Sequence, residues 1–218
     1  LTGDEIDAVE TAYKAASAPF LMAGFNRRFS PFVVPMAAQL RRMRAPAAIS
    51  ITVNADAIPA DHWTQDLAIG GGRIIGEACP FIDLARFLAG APIASADAKG
   101  LKNGPGPRDS AVLSLSFANG AVASIQYLAN GHRALPKEQV QVFCGGKSWR
   151  LDNFRKLEGF GAAGVKGGFL GGQDKGQVAM ATAVMDAVAA GKPAPIPAAE
   201  LFEVARATIA LDRQLRDA

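Results

Sequence analysis

The chain has 218 residues, half of them apolar, and a net charge of +3, so it can bury one large core or two small ones. Its apolar runs are far shorter than the roughly 20 residues that span a bilayer, and no secretion signal opens it. We therefore expect a globular cytoplasmic protein that binds no membrane. Dispersed basic residues and the lack of a nucleic-acid motif argue against nucleic-acid binding, and Cys79 and Cys144 show no metal-ligand spacing.

The first 29 residues predict a helix followed by a buried strand. Thr2 and Glu5 form a capping box before an amphipathic pattern over residues 3–17. The short apolar run FLMAGF at 20–25 is typical of a strand that is covered on both faces. Such a helix and strand would be the end of an α/β unit.

The next hundred residues alternate helix and strand signals. Ser30 and Pro31 open a helix to about residue 44, and AISITVNA then predicts a strand. A loop and a triple glycine, 70–72, precede a helical pattern from about Ile74 to Leu88 that Gly90 closes. The glycines lack the G-x-G-x-x-G spacing of a dinucleotide-binding turn.

From residue 93 the apolar pattern has period two, which indicates antiparallel strands. Asn119-Gly120 predicts a hairpin with a type I′ turn, and Gly145-Gly146 marks a second hairpin. A glycine-rich loop is expected at 159–172, and helices at about 173–190 and 198–216 would cover one face of the sheet. The fold class is therefore α+β, with an open, mainly antiparallel sheet and helices on one face.

Several polar residues stand where ligands usually bind. Asn26 and Arg28 follow the predicted buried strand, and guanidinium groups suit phosphates and carboxylates. His62 and Trp63 precede the triple glycine, and Glu77 lies early in the following helix, where it could act as an acid or base. Each also has an ordinary explanation as a solvated loop residue, a surface ion pair or an exposed carboxylate.

Three segments of the chain together resemble the Gfo/Idh/MocA oxidoreductases, in particular a subgroup of bi-domain enzymes with a GGGRIIGEACHFID-like motif. These segments are GFNRRFSP, DHW with GGGRIIGEACPFIDLARFL, and QDKG. The resemblance implies a Rossmann domain that binds NAD or NADP and a substrate domain whose sheet forms the oligomer interface. Residues 1–29 would be the tail of the Rossmann domain, and 30–218 the substrate-binding and oligomerisation domain. The nucleotide-binding half is expected to be missing from this chain.

Two positions depart from the resembled pattern. Pro80 and Gln177 stand where the subgroup has histidines, and neither side chain can exchange a proton. One hypothesis is a homo-oligomeric substrate domain of an oxidoreductase acting on a sugar, nucleotide sugar or polyol, inactive without its cofactor domain. Its candidate residues are Glu77 and His62 for catalysis, and Asn26, Arg28, Trp63 and Arg73 for substrate binding. The alternative is a non-catalytic binding or scaffold protein.

Overall fold

The computed structural model describes residues 2–59, 61–101, 109–161 and 167–217. It contains five α-helices: α1 Gly3–Ala15, α2 Val33–Met43, α3 Cys79–Ala89, α4 Gln177–Ala189 and α5 Ala198–Asp217. The eight strands are β1 Ala48–Asn54, β2 Ile93–Gly100, β3 Ala111–Phe117, β4 Val122–Leu128, β5 Glu138–Cys144, β6 Lys147–Asp152, β7 Lys156–Phe160 and β8 Gly168–Phe169. Within these ranges, no helix combines the length and apolar character needed to cross a membrane.

All eight strands form one open sheet in the order β2-β3-β4-β1-β5-β6-β7-β8. β1 and β4 run parallel, and the other neighbouring pairs of described strands are antiparallel. The chain reaches this order because α3, β2 and β3 lie between β1 and β4 in sequence, which lets β4 return beside β1 in the same direction. This arrangement confirms the predicted α+β class with an open, mainly antiparallel sheet.

The two faces of the sheet differ because side chains alternate along each strand. In β1, Ile49, Ile51 and Val53 are buried beneath the helices, whereas Ser50 and Thr52 point to the other, partly exposed face. α3 contacts β1 and β4, and α5 contacts β2, so these two helices form the cover. Each buried leucine or isoleucine of this layer contributes roughly 1.5–3 kcal/mol.

Two elements differ from the sequence-based expectation. Residues 20–25 do not form a strand, and Phe20 remains 43% exposed. An apolar run predicts burial, but a strand also needs a neighbouring strand to hydrogen-bond with its backbone. None of the described strands pairs with residues 20–25. α4 packs against the turn at residues 26–29 instead of covering the sheet, so Val178 and Met185 are exposed.

The hairpins also correct one turn prediction. Gly145 and Gly146 both have positive φ, as a type I′ turn requires. In the first hairpin Gly120 has a positive φ but Asn119 does not, and the Gly120 N–H donates to the Phe117 carbonyl. The predicted type I′ turn at this site is therefore wrong. The predicted glycine-rich loop is shorter than expected, because β7 and β8 occupy part of its length.

Candidate functional site

The helix that follows the triple glycine begins with a wide turn. Residues Ile74–Ala78 form a π-helical turn, and α3 then spans Cys79–Ala89. Gly90, with a φ of 67°, ends the helix as predicted. Pro80 stands in the first turn of α3, where a missing N–H costs little. The single helix predicted from Ile74 is thus two segments with different hydrogen-bond spacing.

This wide turn carries Glu77, which is held by two side chains. Arg73 Nε lies 3.0 Å from Glu77 Oε1, and the Tyr127 hydroxyl of β4 donates to Glu77 Oε2 at 2.6 Å. Arg73 is itself buried and donates to the carbonyls of Ala55 and Asp56, at 2.7 and 2.6 Å, just beyond β1. Arg73 therefore ties the wide turn to the end of the central strand.

These contacts set the protonation states. Burial disfavours the charged form of Glu77, but hydrogen bonds from Arg73 and Tyr127 outweigh it and hold the pKa of this carboxyl below its usual range. Burial, reinforced by the hydrogen bond to Glu77, raises the pKa of Tyr127 well above its usual range. Glu77 is consequently an anion and Tyr127 a neutral donor. One third of the Glu77 side chain remains exposed, so it can accept a hydrogen bond from a ligand hydroxyl.

A second cluster joins the segments GFNRRFSP and QDKG. Arg27 binds both oxygens of Glu138 at 2.7 and 2.8 Å, and Lys175 Nζ lies 2.6 Å from Glu138 Oε1. Asn26 Nδ2 donates to the Lys175 carbonyl at 2.9 Å. Burial opposes the charge of Glu138, but pairing with both cations holds its pKa below the usual range. Glu138, the first residue of β5, therefore anchors Asn26 indirectly, through Lys175.

The sequence interpretation missed Glu138 and Lys175. Glu138 shares the inward-facing alternation of Val140 and Val142, and its side chain is fully buried. The available signal was a charged residue on the same strand face as two buried valines. It indicates a buried carboxylate, and a buried carboxylate requires cationic partners. The identity of those partners depends on contacts between residues more than thirty positions apart.

Arg28 is buried and paired with carboxylates of two helices. Its guanidinium pairs with both oxygens of Asp83 in α3 and with Glu200 of α5, and it lies 5.0 Å from the Phe87 ring. Burial raises the pKa of Asp83 to about 6, and its pairing with Arg28 opposes this shift. The available donors of Arg28 are thus directed at protein carboxylates, and Arg28 ties the turn at 26–29 to two helices.

His62 and Trp63 lie on an exposed loop. The His62 Nδ1 atom is 2.9 Å from the Thr64 hydroxyl, and 61% of Trp63 is accessible to solvent. None of the contacts found in the described residues joins either side chain to Glu77. In the same residues no group of three or more potential metal ligands comes together.

Comparison with known proteins identifies the domain type. A family model described as the GFO/IDH/MocA C-terminal domain matches residues 44–148. This segment is thus similar to a GFO/IDH/MocA C-terminal domain. The matched segment runs from the end of α2 to β6 and includes Arg73, Glu77 and Tyr127. It confirms the predicted relationship, while no protein with a curated description matches the sequence.

Solved structures share the fold of this GFO/IDH/MocA domain. A levoglucosan dehydrogenase in complex with NADH and levoglucosan has a TM-score of 0.80 at 21% identity, covering 99% of this chain and 69% of its own. The aldose-aldose oxidoreductase of Caulobacter crescentus gives 0.77 at 19%, covering 99% and 67%. The UDP-N-acetylglucosamine 3-dehydrogenase of Acidithiobacillus ferrooxidans gives 0.73 at 20%, covering 99% and 69%. At these identities the likeness shows the fold.

Proposed function

We propose that this chain is the substrate-binding and oligomerisation part of an NAD(P)-dependent oxidoreductase that acts on a hydroxyl of a sugar, nucleotide sugar or polyol. The observation that carries the proposal is the partly exposed Glu77 carboxylate, fixed by Arg73 and Tyr127 at the end of the central strands. Ligands commonly bind at such strand ends. Sugar and nucleotide-sugar dehydrogenases among the structures with the same fold support this substrate class.

Glu77 would act on the substrate hydroxyl. Oxidation of an alcohol removes a proton from its oxygen as well as a hydride from its carbon, and the Glu77 carboxylate would accept that proton. A carboxylate with a lowered pKa accepts the hydroxyl's hydrogen bond and orients it, and Tyr127 and Arg73 keep that carboxylate in place. NAD or NADP supplies the hydride chemistry and would be bound by a domain outside the residues described, so we expect this chain alone to be inactive.

Some of the remaining candidate residues would contact the substrate, and others would hold the site in place. His62 would assist proton transfer from its loop, and the exposed Trp63 ring offers a flat surface for a sugar. Asn26 would bind substrate from the anchored turn beside Lys175. Arg28 and Arg73 would contribute chiefly by holding the backbone around Asn26 and Glu77, since protein acceptors engage their guanidinium groups.

A second candidate function is a non-catalytic sugar-binding or scaffold protein of the same fold. It is favoured by Pro80 and Gln177, whose side chains cannot exchange protons. In this case Glu77 and its partners would bind a ligand without chemistry. Both functions are compatible with a homo-oligomer formed through the open sheet face, where Val112, Val122 and Phe143 are exposed. Both are also compatible with the cytoplasm, where the two free thiols would stay reduced.

Binding by the chain itself is the first test. UDP-N-acetylglucosamine, levoglucosan and myo-inositol would be titrated into the wild type, Glu77→Gln and Glu158→Gln, with chemical-shift perturbation as the readout. Glu158 is a matched control because it is also ion-paired but lies on β7. We expect saturable binding of at least one compound, weakened about tenfold by loss of one charge-assisted hydrogen bond in Glu77→Gln and unchanged in the control. Absence of binding by all three compounds would refute the proposed substrate class.

Catalysis is tested in the natural protein. Its intact mass and its titration with NAD(H) and NADP(H) show whether a cofactor domain accompanies these residues. Turnover of a bound sugar with either cofactor supports the oxidoreductase. Sugar binding with neither cofactor binding nor turnover supports the non-catalytic alternative.

A further inference from the structure

The wide turn before α3 and the proline that follows it have a common physical cause. In an uninterrupted α-helix the N–H of residue 80 would donate to the carbonyl of Gly76. Pro80 has no N–H, and its ring would collide with that carbonyl. A π-helical turn at Ile74–Ala78 has wider hydrogen-bond spacing and leaves room for the ring. The two unusual features therefore explain each other.

α3 itself is fixed in the core. Phe81, Ile82 and Leu84 are almost completely buried, and Asp83 pairs with the buried Arg28. A change in helical register here would bury the wrong residues and separate this ion pair. Any such change would consequently be absorbed upstream of α3.

The upstream segment can absorb it. Gly71 and Gly72 have φ values of 71° and 85°, and glycine reaches many backbone conformations at no steric cost. Successive residues of an α-helix are about 100° apart around its axis. Replacing the π turn by an α turn would therefore rotate residues 73–78 relative to α3 and carry Glu77 away from the Tyr127 hydroxyl.

We infer that Pro80 is a positioning residue for Glu77: it enforces the π turn that presents this carboxylate to the Tyr127 hydroxyl. The part of the inference that concerns substrate rests on the proposed function. The placement of Glu77 does not, because it follows from contacts within the chain. On this view Pro80 adapts the helix to a glutamate-based site, and replacing it by histidine would disturb the site.

The test observes the Glu77 carboxyl directly. Protein labelled with ¹³C at the glutamate side-chain carboxyl would be titrated by NMR, with the Glu77 signal assigned by its absence in Glu77→Gln. The variants are Pro80→Ala and the control Pro35→Ala, since Pro35 is an exposed proline in the first turn of α2. Both changes replace a first-turn proline by the best helix former.

We expect the Glu77 carboxyl of wild type and Pro35→Ala to titrate below the ordinary glutamate range. In Pro80→Ala it should shift upward toward that range, because the hydrogen bond from the Tyr127 hydroxyl is lost. A Pro80→Ala titration identical to wild type would overturn the inference. Pro80→Ser also restores the N–H and serves as a second variant. If neither variant folds while Pro35→Ala does, Pro80 has a purely structural role and the inference is again overturned.

Failure of the proposed function would look different. The titration needs no ligand, so a shifted Glu77 signal in Pro80→Ala without sugar binding to the wild type retains the positioning role and rejects the substrate assignment. Sugar binding to the wild type with an unshifted Glu77 signal in Pro80→Ala supports the substrate assignment and rejects the positioning role. For a sugar-binding chain, Pro80→Ala should weaken binding to the extent seen in Glu77→Gln, and Pro35→Ala should leave it unchanged.

Discussion

Replacing Glu138 by glutamine should destabilise the protein strongly. Glu138 is buried and receives Arg27 Nε at 2.7 Å and Lys175 Nζ at 2.6 Å. Glutamine has nearly the same volume, so the change creates little cavity but leaves two partly buried cations close together without a counter-charge. Removing one partner of a buried ion pair costs about 3–5 kcal/mol. For a chain of this length that corresponds to a loss of roughly 10 °C in Tm.

Glu158→Gln is the matched control. Glu158 also accepts from two cations, Arg150 and Lys156, but their side chains are about half exposed on the open face. Exposed pairs of this kind contribute little to stability, because water and salt screen them. Urea denaturation of both variants at pH 7, followed by circular dichroism, measures the difference in the free energy of unfolding. A Glu138→Gln variant as stable as Glu158→Gln would refute the reasoning.

The pH dependence gives the same prediction an independent check. Because the pKa of Glu138 is lower in the folded than in the unfolded chain, its contribution is fully present above the unfolded value, near 4.3. That contribution is lost as the pH falls through the folded pKa. The stability difference between wild type and Glu138→Gln should therefore shrink in acid. A difference that stays constant down to pH 3 would mean that the charge is not the cause.

Gly176→Ala should cost at least twice as much stability as Gly146→Ala, measured by urea denaturation. Both have positive φ, but a Cβ at position 176 would lie within 2.6 Å of backbone atoms of the turn at residues 26–30, whereas position 146 faces open space; equal losses would contradict this. Tyr127→Phe should raise the pKa of Glu77 in a ¹³C titration and cost about 1.5 kcal/mol, because it removes a hydrogen bond to a carboxylate; an unchanged titration would show that this bond is unimportant. Val122→Arg should dissociate an oligomer formed through the open sheet face, measured by sedimentation, and an unchanged mass would exclude that interface.

Local signals in the sequence were sufficient for most elements. Thr2 and Glu5 form the predicted capping box of α1, and Gly90 ends α3 in a left-handed conformation. These features depend on neighbouring residues, so a short window contains all the necessary information. The turn at Asn119 shows where local signals are insufficient. Its type depends on the register of β3 and β4 as well as on the Asn119-Gly120 dipeptide.

The motifs indicated segments that lie near the central strands, while their role as a functional site stays a prediction. The segments around Asn26, Glu77 and Lys175 do approach the ends of the central strands, as expected for this domain type. The sequence could not say which acceptors Arg28 and Arg73 would bind. Arg28 and Arg73 are the same residue type in similar contexts, and their partners come from distant helices and strands.

The sequence by itself determined the α+β class, most helix and strand positions and the relationship to GFO/IDH/MocA domains, because periodicity, caps and motifs are properties of short segments. Tertiary structure alone decided that Glu138 is buried between two cations and that Glu77 is an anion held by Tyr127. It also placed a π turn before Pro80, where a proline in a helical pattern signals only a break. Burial and charge pairing depend on residues that are distant in sequence and that only the fold brings together, so no short segment of sequence contains that information.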